Sequence, residues 1–184
     1  MLTNVAVPAN VERAEIEKGT RHQKVIGQFG EHLVCNWLSR SGFEASIVDH
    51  TGIDIIAFDR INRRRLGISV KARTRCRGSE KSSVTIFEKA NDREKTLAAS
   101  VTFGCEPWVA AYVETTEFGD LYLVSLQELD CIYQSQGGAP VRFWRMSPKY
   151  CALYKNNPNV FHIRITFDVC NWRFGDSSSP DPSS

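Results

Sequence analysis

Residues 52–77, GIDIIAFDRINRRRLGISVKARTRCR, constrain the fold of this chain more than any other stretch. Two short runs rich in Ile, Val and Phe, 54–58 and 66–72, flank a basic turn, a pattern typical of a buried β-hairpin. Asp54 begins the first run and Lys71 lies near the end of the second. An unpaired charge in an apolar setting costs several kcal/mol, so each needs a partner or a function. Mutual neutralisation is the simpler interpretation, whereas a third charge upstream, Glu31, favours a functional site.

The elements around this hairpin indicate an α/β fold. A helix is predicted over 23–40 because, at about 100° per residue, one arc carries its apolar side chains: Val25, Ile26, Phe29, Leu33, Val34, Trp37 and Leu38. Glu31 lies at the rim of this arc. Further strands are predicted at 43–48, 108–114, 120–126 and 161–167, with helices at 87–103 and 148–154. This order predicts a mixed central sheet flanked by helices.

The length of 184 residues suits one domain with a sizeable core. We expect an N-terminal arm or short helix at 1–22, one α/β domain at 23–175, and a disordered tail at 176–184, where Ser, Pro and Asp dominate. No secretory signal is visible, and no apolar run approaches the roughly 20 residues that span a bilayer. The six cysteines lack zinc-ligand spacing. These features predict a cytoplasmic protein with reduced thiols and no membrane partner.

The charge distribution predicts a polyanionic partner. The net charge is only +2, but residues 60–81 contain nine basic residues and one acidic residue, so this segment carries +8 and the rest of the chain −6. Such asymmetry is typical of a face that binds nucleic acid. The alternative is a hairpin turn whose arginines are simply solvated.

The spacing of the basic residues indicates how the protein could contact successive phosphates of a nucleic-acid backbone. If the second strand continues, four cations spaced by two line one face about 6–7 Å apart and can track phosphates: Lys71, Arg73, Arg75 and Arg77. The hairpin turn would reach a more distant phosphate through Arg63, Arg64 and Arg65. These contacts would position a nucleic acid without reading its sequence. The alternative is that 73–77 form an irregular loop with solvated charges.

Three segments in order, GQFGEHLVCNWLSRSGF, GIDIIAF and GISVKART, resemble the PD-(D/E)xK nuclease superfamily, in its restriction-endonuclease-like and Holliday-junction-resolvase-like branch. The resemblance covers about residues 25–115 and implies a restriction-endonuclease-like core in the order αβββαβ. It also implies a metal-dependent endonuclease acting on DNA. In that activity Glu31 and Asp54 would bind Mg²⁺, with Mn²⁺ as a substitute, and Lys71 would orient water or offset transition-state charge. The resemblance also allows a homodimer.

Ser69 departs from the family pattern, which usually has Asp or Glu two residues before the lysine. Positions 69 and 71 of a strand point to the same face, so Ser69 faces the predicted site. Either the site works with fewer acids, or Glu88 or Asp49 replaces the missing one, or cleavage has been lost. A non-catalytic nucleic-acid-binding or regulatory module is therefore the first alternative. A protein-interaction domain that binds an acidic partner is the second.

Two aromatic pairs lie in the part that the resemblance does not cover, Phe143–Trp144 and Trp172–Phe174. Such side chains can stack on unpaired bases. Packing in the core is the favoured interpretation, because large aromatic side chains dominate the energetics of cores.

Overall fold

A six-stranded mixed sheet with helices on both faces organises the computed structural model, which describes residue 16 and residues 18–138 and 141–168. The helices are α1 (His22–Arg40), α2 (Asp92–Thr102), α3 (Leu126–Gln134) and α4 (Pro148–Lys155). The strands are β1 (Phe43–His50), β2 (Ile53–Asp59), β3 (Arg64–Thr74), β4 (Val84–Thr85), β5 (Glu106–Glu114), β6 (Phe118–Ser125), β7 (Phe143–Trp144) and β8 (Phe161–Thr166). The predicted tail, most of the predicted arm, and Trp172 and Phe174 lie outside the described residues.

The strand order in the main sheet is β1-β2-β3-β5-β6-β8, and β4 and β7 form a separate two-stranded sheet. β3 and β5 run parallel, with β4 and α2 in the connection between them, and the other neighbours in the main sheet are antiparallel. The predicted α/β class, with a mixed central sheet flanked by helices, is confirmed. No helix in the described part of the chain is long and apolar enough to cross a membrane.

Successive side chains of β3 point to opposite faces of the sheet, and each face carries its own hydrophobic core. Ile68, Val70 and Ala72 pack with buried side chains of α1 on one face of the sheet. Ser69 and Lys71 point to the other face, towards a cleft beside α2. The second core lies on that other face and includes side chains from α3, α4 and β7.

Helix α1 lies close to the sheet at Gly30. A Cβ built there would be 2.9 Å from the Cβ of Ala72, so the backbones of α1 and β3 approach closely at this point. The predicted apolar arc is only partly buried: Val25 and Phe29 are 59% and 46% exposed. The helix therefore packs through the narrower stripe formed by Ile26, Gly30, Leu33, Val34 and Leu38.

Helix α2 begins later than the predicted residue 87. The N–H groups of Ile86 and Phe87 donate to the Arg142 carbonyl at 3.0 and 3.2 Å, which holds this segment extended against the chain leading into β7. The Asp92 carboxylate then accepts a hydrogen bond from the Lys89 N–H at 2.8 Å at the start of the helix. Residues 86–91 therefore form a connection beside the sheet.

Helix α3 is absent from the predicted elements, which leave residues 127–133 unassigned and extend the preceding strand to residue 126. The strand ends at Ser125, whose hydroxyl accepts from the Glu128 N–H at 3.1 Å and caps the helix. The pair is the Ser-x-x-Glu pattern of a capping box, and this signal was available in the sequence.

Strand β8 is fastened to β6 by a buried carboxylate. Asp120, 3% exposed, accepts a hydrogen bond from His162 at 2.8 Å and two from the Arg164 guanidinium at 2.8 and 2.7 Å. Burial alone raises the pKa of Asp120, but these bonds outweigh it and hold the pKa below its ordinary value. The edge strand thus depends on an ionised Asp120.

Candidate active site

Asp54 is held against the backbone of β3. Its Oδ2 accepts a hydrogen bond from the Val70 N–H at 2.6 Å and a longer one from the Ser69 hydroxyl at 3.4 Å. The β2–β3 register pairs Ile55 with Ile68, so Asp54 lies one step further, opposite Ser69. Among the described residues no hydrogen bond to its other oxygen, Oδ1, occurs. One oxygen of this carboxylate is therefore structural and the other is available.

Lys71 shares a cleft of about 160 Å³ with Asp54. The polar residues lining this cleft are Thr51, Asp54, Ser69, Lys71, Asp92, Lys95 and Thr96. The Lys71 ammonium makes no hydrogen bond or ion pair with any residue that the structure describes. Mutual neutralisation of Asp54 and Lys71, the simpler interpretation of their charges, is therefore not observed in that part of the chain.

Ser69 lies between these two residues and is 5% exposed. Its hydroxyl faces the cleft, as the strand alternation predicts, and donates to Asp54. A hydroxyl in this position can help to orient the neighbouring carboxylate, but it adds no negative charge to the cleft.

Glu31 approaches the same charges from α1. Burial raises the pKa of the Glu31 carboxyl, and the negative charge of Asp54 raises it further. His32 and Lys71 act in the opposite direction, and Asp49 makes a smaller contribution that raises the pKa. Glu31 follows Gly30, where α1 approaches β3 closely, and it is within electrostatic range of Asp54 and Lys71. Glu31 is not among the residues that line the Lys71 cleft.

The candidate donors for a divalent cation are two carboxylates, Glu31 and Asp54. No group of three or more His, Cys, Asp or Glu side chains within 18–138 and 141–168 has an arrangement that could hold a metal ion. Mg²⁺ often binds through only one or two carboxylates and keeps several waters. Glu31 and Asp54 repel each other, which contributes to the raised pKa of Glu31, and a cation between them would relieve this repulsion.

The two candidates for the missing acid have different surroundings. Asp49 is exposed, at the irregular end of the β1–β2 pairing, and is close enough to Glu31 to influence its pKa. Glu88 lies in the connection before α2, not at the start of that helix as predicted. Its side chain is 66% exposed and pairs with Arg73 at 3.3 Å.

A further acid, Asp92, lies beside Lys71 and is not among the predicted site residues. It lines the Lys71 cleft and also an adjoining cleft of about 270 Å³ that includes Lys71, Arg73 and Glu88. Its oxygens accept from the Lys89 N–H and pair with the Lys95 ammonium at 3.3 Å. An Asp in the first turn of a helix is a recognised start signal. Because the helix is predicted to begin at residue 87, Asp92 is assigned to its second turn and is not interpreted as a start signal.

The basic row does not continue as predicted. β3 ends at Thr74, and the chain turns at Gly78, whose φ of +86° is in the left-handed region. The Arg75 guanidinium donates to the carbonyls of Ser82 and Ser83 at 3.1 and 2.8 Å, so it holds the loop together. Arg77 lies in the turn and is exposed. The prediction of four cations on one straight strand is wrong beyond Thr74.

The arginines of the hairpin turn lie far from the cleft. Five residue steps separate Asp54 from Asp59 at the turn, or about 17 Å of extended strand. Arg63 is in the turn with φ of 58°, whereas Arg64 donates to Glu106 at 2.8 Å. Arg65 is exposed and, by strand alternation, points to the opposite face from Arg64. These three arginines therefore do not form one contiguous patch.

Two solved structures are similar to this chain. One is a Holliday junction resolvase (Hjc) from Archaeoglobus fulgidus, with 17% sequence identity and a TM-score of 0.46, covering 69% of this chain and 93% of that chain. The other is a restriction endonuclease in complex with substrate DNA, with 14% identity and a TM-score of 0.45, covering 86% of this chain and 77% of that chain. No protein-family model and no curated protein matches the chain.

Proposed function

We propose that this protein is a metal-dependent endonuclease that hydrolyses phosphodiester bonds in DNA. The observation that supports the proposal is that Asp54 and Lys71 line one cleft, with Glu31 within electrostatic range of both. Two carboxylates repel each other beside an ammonium group that has no partner among the described residues. A cation and a phosphate would satisfy all three charges, because the cation neutralises the carboxylates and the phosphate pairs with the ammonium.

Each of these residues has a distinct chemical task in the proposed reaction. Glu31 and Asp54 would hold Mg²⁺, which when bound supplies Lewis-acid polarisation of a phosphate and acidifies bound water. Lys71 can orient the attacking water or offset the negative charge that develops on the phosphate oxygens. Ser69 donates to Asp54 and so acts as a positioning residue.

The basic residues nearest the cleft would bind the DNA backbone. Arg73 is on the same strand as Lys71, is partly exposed and lies in the adjoining cleft. Arg77 is exposed in the turn that follows. Arg75 would act indirectly, because its hydrogen bonds to Ser82 and Ser83 shape the loop that carries Arg77. Contacts of this type weaken as the salt concentration rises, because the release of condensed counterions into a more concentrated salt solution gains less free energy.

The decisive experiment is cleavage of duplex, branched and single-stranded DNA in Mg²⁺, Mn²⁺ or EDTA. Lys71→Ala should abolish cutting and leave the fold and most DNA binding intact, because the Lys71 ammonium supports no contact among the described residues. Asp54→Asn is a better metal-ligand variant than Asp54→Ala. It retains an acceptor for the Val70 N–H, whereas alanine would leave that group without this partner at a cost of about 1–3 kcal/mol. Full cutting by Lys71→Ala would refute its role.

The second candidate function is a nucleic-acid-binding module without cleavage, and Ser69 is the observation that favours it. Salt-sensitive DNA binding without metal-dependent cutting would support this function. Three variants test which carboxylate replaces the missing acid: Asp92→Asn, Glu88→Gln and Asp49→Asn. Only the variant that removes the replacement acid should lose cutting. Binding to an acidic protein competitor in preference to DNA would instead support a protein-interaction domain.

A further inference from the structure

The small β4–β7 sheet lies beside the candidate active site. The chain leaving β4 passes through Ile86 and Phe87, which line the Lys71 cleft. Their N–H groups donate to the carbonyl of Arg142, the residue immediately before β7. This backbone pairing ties β7 to one wall of the cleft.

The two aromatic residues of β7 have opposite environments. Trp144 is fully buried in the core, as the core-packing interpretation predicts, whereas Phe143 is 40% exposed. The Phe143 carbonyl accepts a hydrogen bond from the buried Tyr133 hydroxyl at 2.8 Å, which fixes the backbone beneath the exposed ring. Phe143 is therefore an exposed aromatic ring on a firmly held strand.

A chain of polar contacts links this ring to the cleft. The Arg142 guanidinium lies 5.5 Å from the centroid of the Phe143 ring and donates to the Glu88 carbonyl at 3.2 Å. The Glu88 carboxylate in turn pairs with Arg73, two residues from Lys71 on β3. Phe143 and Arg142 thus extend the surface formed by Arg73 and the adjoining cleft.

We propose that Phe143 and Arg142 form a stacking platform for an unpaired nucleobase, so that the preferred substrate carries single-stranded nucleotides beside the scissile bond. This inference rests on the proposed function. A base within a continuous duplex is stacked on both faces, whereas an unpaired base can stack on an aromatic ring. The Arg142 guanidinium, which lies over the Phe143 ring, adds a cation for the adjoining phosphate, and Arg stacks on bases as well.

The test compares a gapped duplex, with 2-aminopurine in its single-stranded gap, and a fully paired duplex of the same length. Both are titrated in EDTA so that cleavage plays no part. We expect Phe143→Ala to weaken binding to the gapped DNA by roughly 5- to 150-fold, the range for losing one base–aromatic stack. Binding to the paired duplex should not change, and Phe143→Trp should restore both the affinity and the quenching of 2-aminopurine fluorescence.

Phe161→Ala is the matched control, because Phe161 is also an exposed phenylalanine, at 56%, but is on the edge strand β8. It should leave both affinities unchanged. The platform is refuted if Phe143→Ala binds gapped DNA as tightly as the wild type, or if it loses affinity equally for both DNAs. The platform is also refuted if an acidic protein competitor, but not gapped DNA, binds through Phe143.

Cleavage is measured separately, so the two proposals can fail independently. Selective loss of gapped-DNA binding in Phe143→Ala, in a protein that never cuts with Mg²⁺ or Mn²⁺, would support the platform and refute the nuclease. Metal-dependent cutting of paired and gapped DNA at equal rates in Phe143→Ala and wild type would support the nuclease and refute the platform. A wild-type protein that binds neither DNA would refute both.

Discussion

Two glycines one turn apart in α1 give a direct test of how Glu31 is positioned. A Cβ at Gly27 would meet nothing within 4 Å, whereas a Cβ at Gly30 would lie 2.9 Å from the Cβ of Ala72. Both atoms are attached directly to their backbones, so neither can rotate away. Relief to an ordinary contact of 3.4 Å requires α1 to move from β3 by about 0.5 Å.

The magnitude follows from two opposing effects. Alanine is favoured over glycine inside a helix by about 0.5–1 kcal/mol, and this gain applies to both positions. Overpacking a well-packed contact costs about 1–3 kcal/mol and applies only to Gly30. Gly27→Ala should therefore stabilise the protein, and Gly30→Ala should have a free energy of unfolding about 1–3 kcal/mol below that of Gly27→Ala.

Urea denaturation of the two variants, followed by circular dichroism, measures this difference without reference to activity. In the cleavage assay, Gly30→Ala should also lose about tenfold or more in rate, because Glu31 moves with α1 and small misplacements of catalytic groups are costly. Equal free energies of unfolding for the two variants would show that α1 does not approach β3 as closely as described. The reasoning that this approach positions Glu31 would then be refuted.

Three further predictions concern charged groups. Burial and the charge of Asp54 raise the folded-state pKa of Glu31, so the free energy of unfolding should fall as pH rises through that raised value. Above this pH, in metal-free buffer, Glu31→Gln should be more stable than the wild type. The difference in stability between the two proteins should disappear below the ordinary pKa of glutamate. Asp120→Ala should lower the free energy of unfolding by about 3 kcal/mol, because it leaves Arg164 and His162 without their acceptor. The wild-type protein should also lose stability as pH falls through the lowered pKa of Asp120, and thermal unfolding from pH 7 to pH 2 would detect both effects. Arg77→Ala should reduce the slope of log K against log[salt] for DNA binding by about one unit. Arg75→Ala should change the free energy of unfolding more than this slope. The opposite result would mean that Arg75 leaves its carbonyl partners to contact DNA.

Local patterns in the sequence were sufficient for the parts of the fold that depend on nearby residues. Alternation of apolar residues predicted β2 and β3 to within two residues at each end, and helical periodicity predicted α1 with the correct C-terminal residue. The same alternation placed Ser69 and Lys71 on one face. These features depend on periodicity alone, which the sequence displays directly.

The remaining features depend on partners distant in sequence. Arg75 is held by carbonyls that a turn at Gly78 brings back to it, and no spacing rule reveals that acceptor. The start of α2 depends on hydrogen bonds to Arg142, 55 residues beyond Phe87. Glu31 was selected through the family resemblance and its place on the helix rim, while its proximity to Asp54 became visible only in three dimensions.

The hydrogen bond from the Val70 N–H to Asp54 has a consequence for how related sequences should be interpreted. Because one oxygen of Asp54 completes the junction of β2 and β3, selection for stability alone would retain this aspartate. Lys71 has no such structural role in the described part of the chain, so only a function such as the proposed cleavage would retain it. Among related sequences, retention of the lysine would therefore support the proposed cleavage, whereas retention of the aspartate is expected from the fold alone.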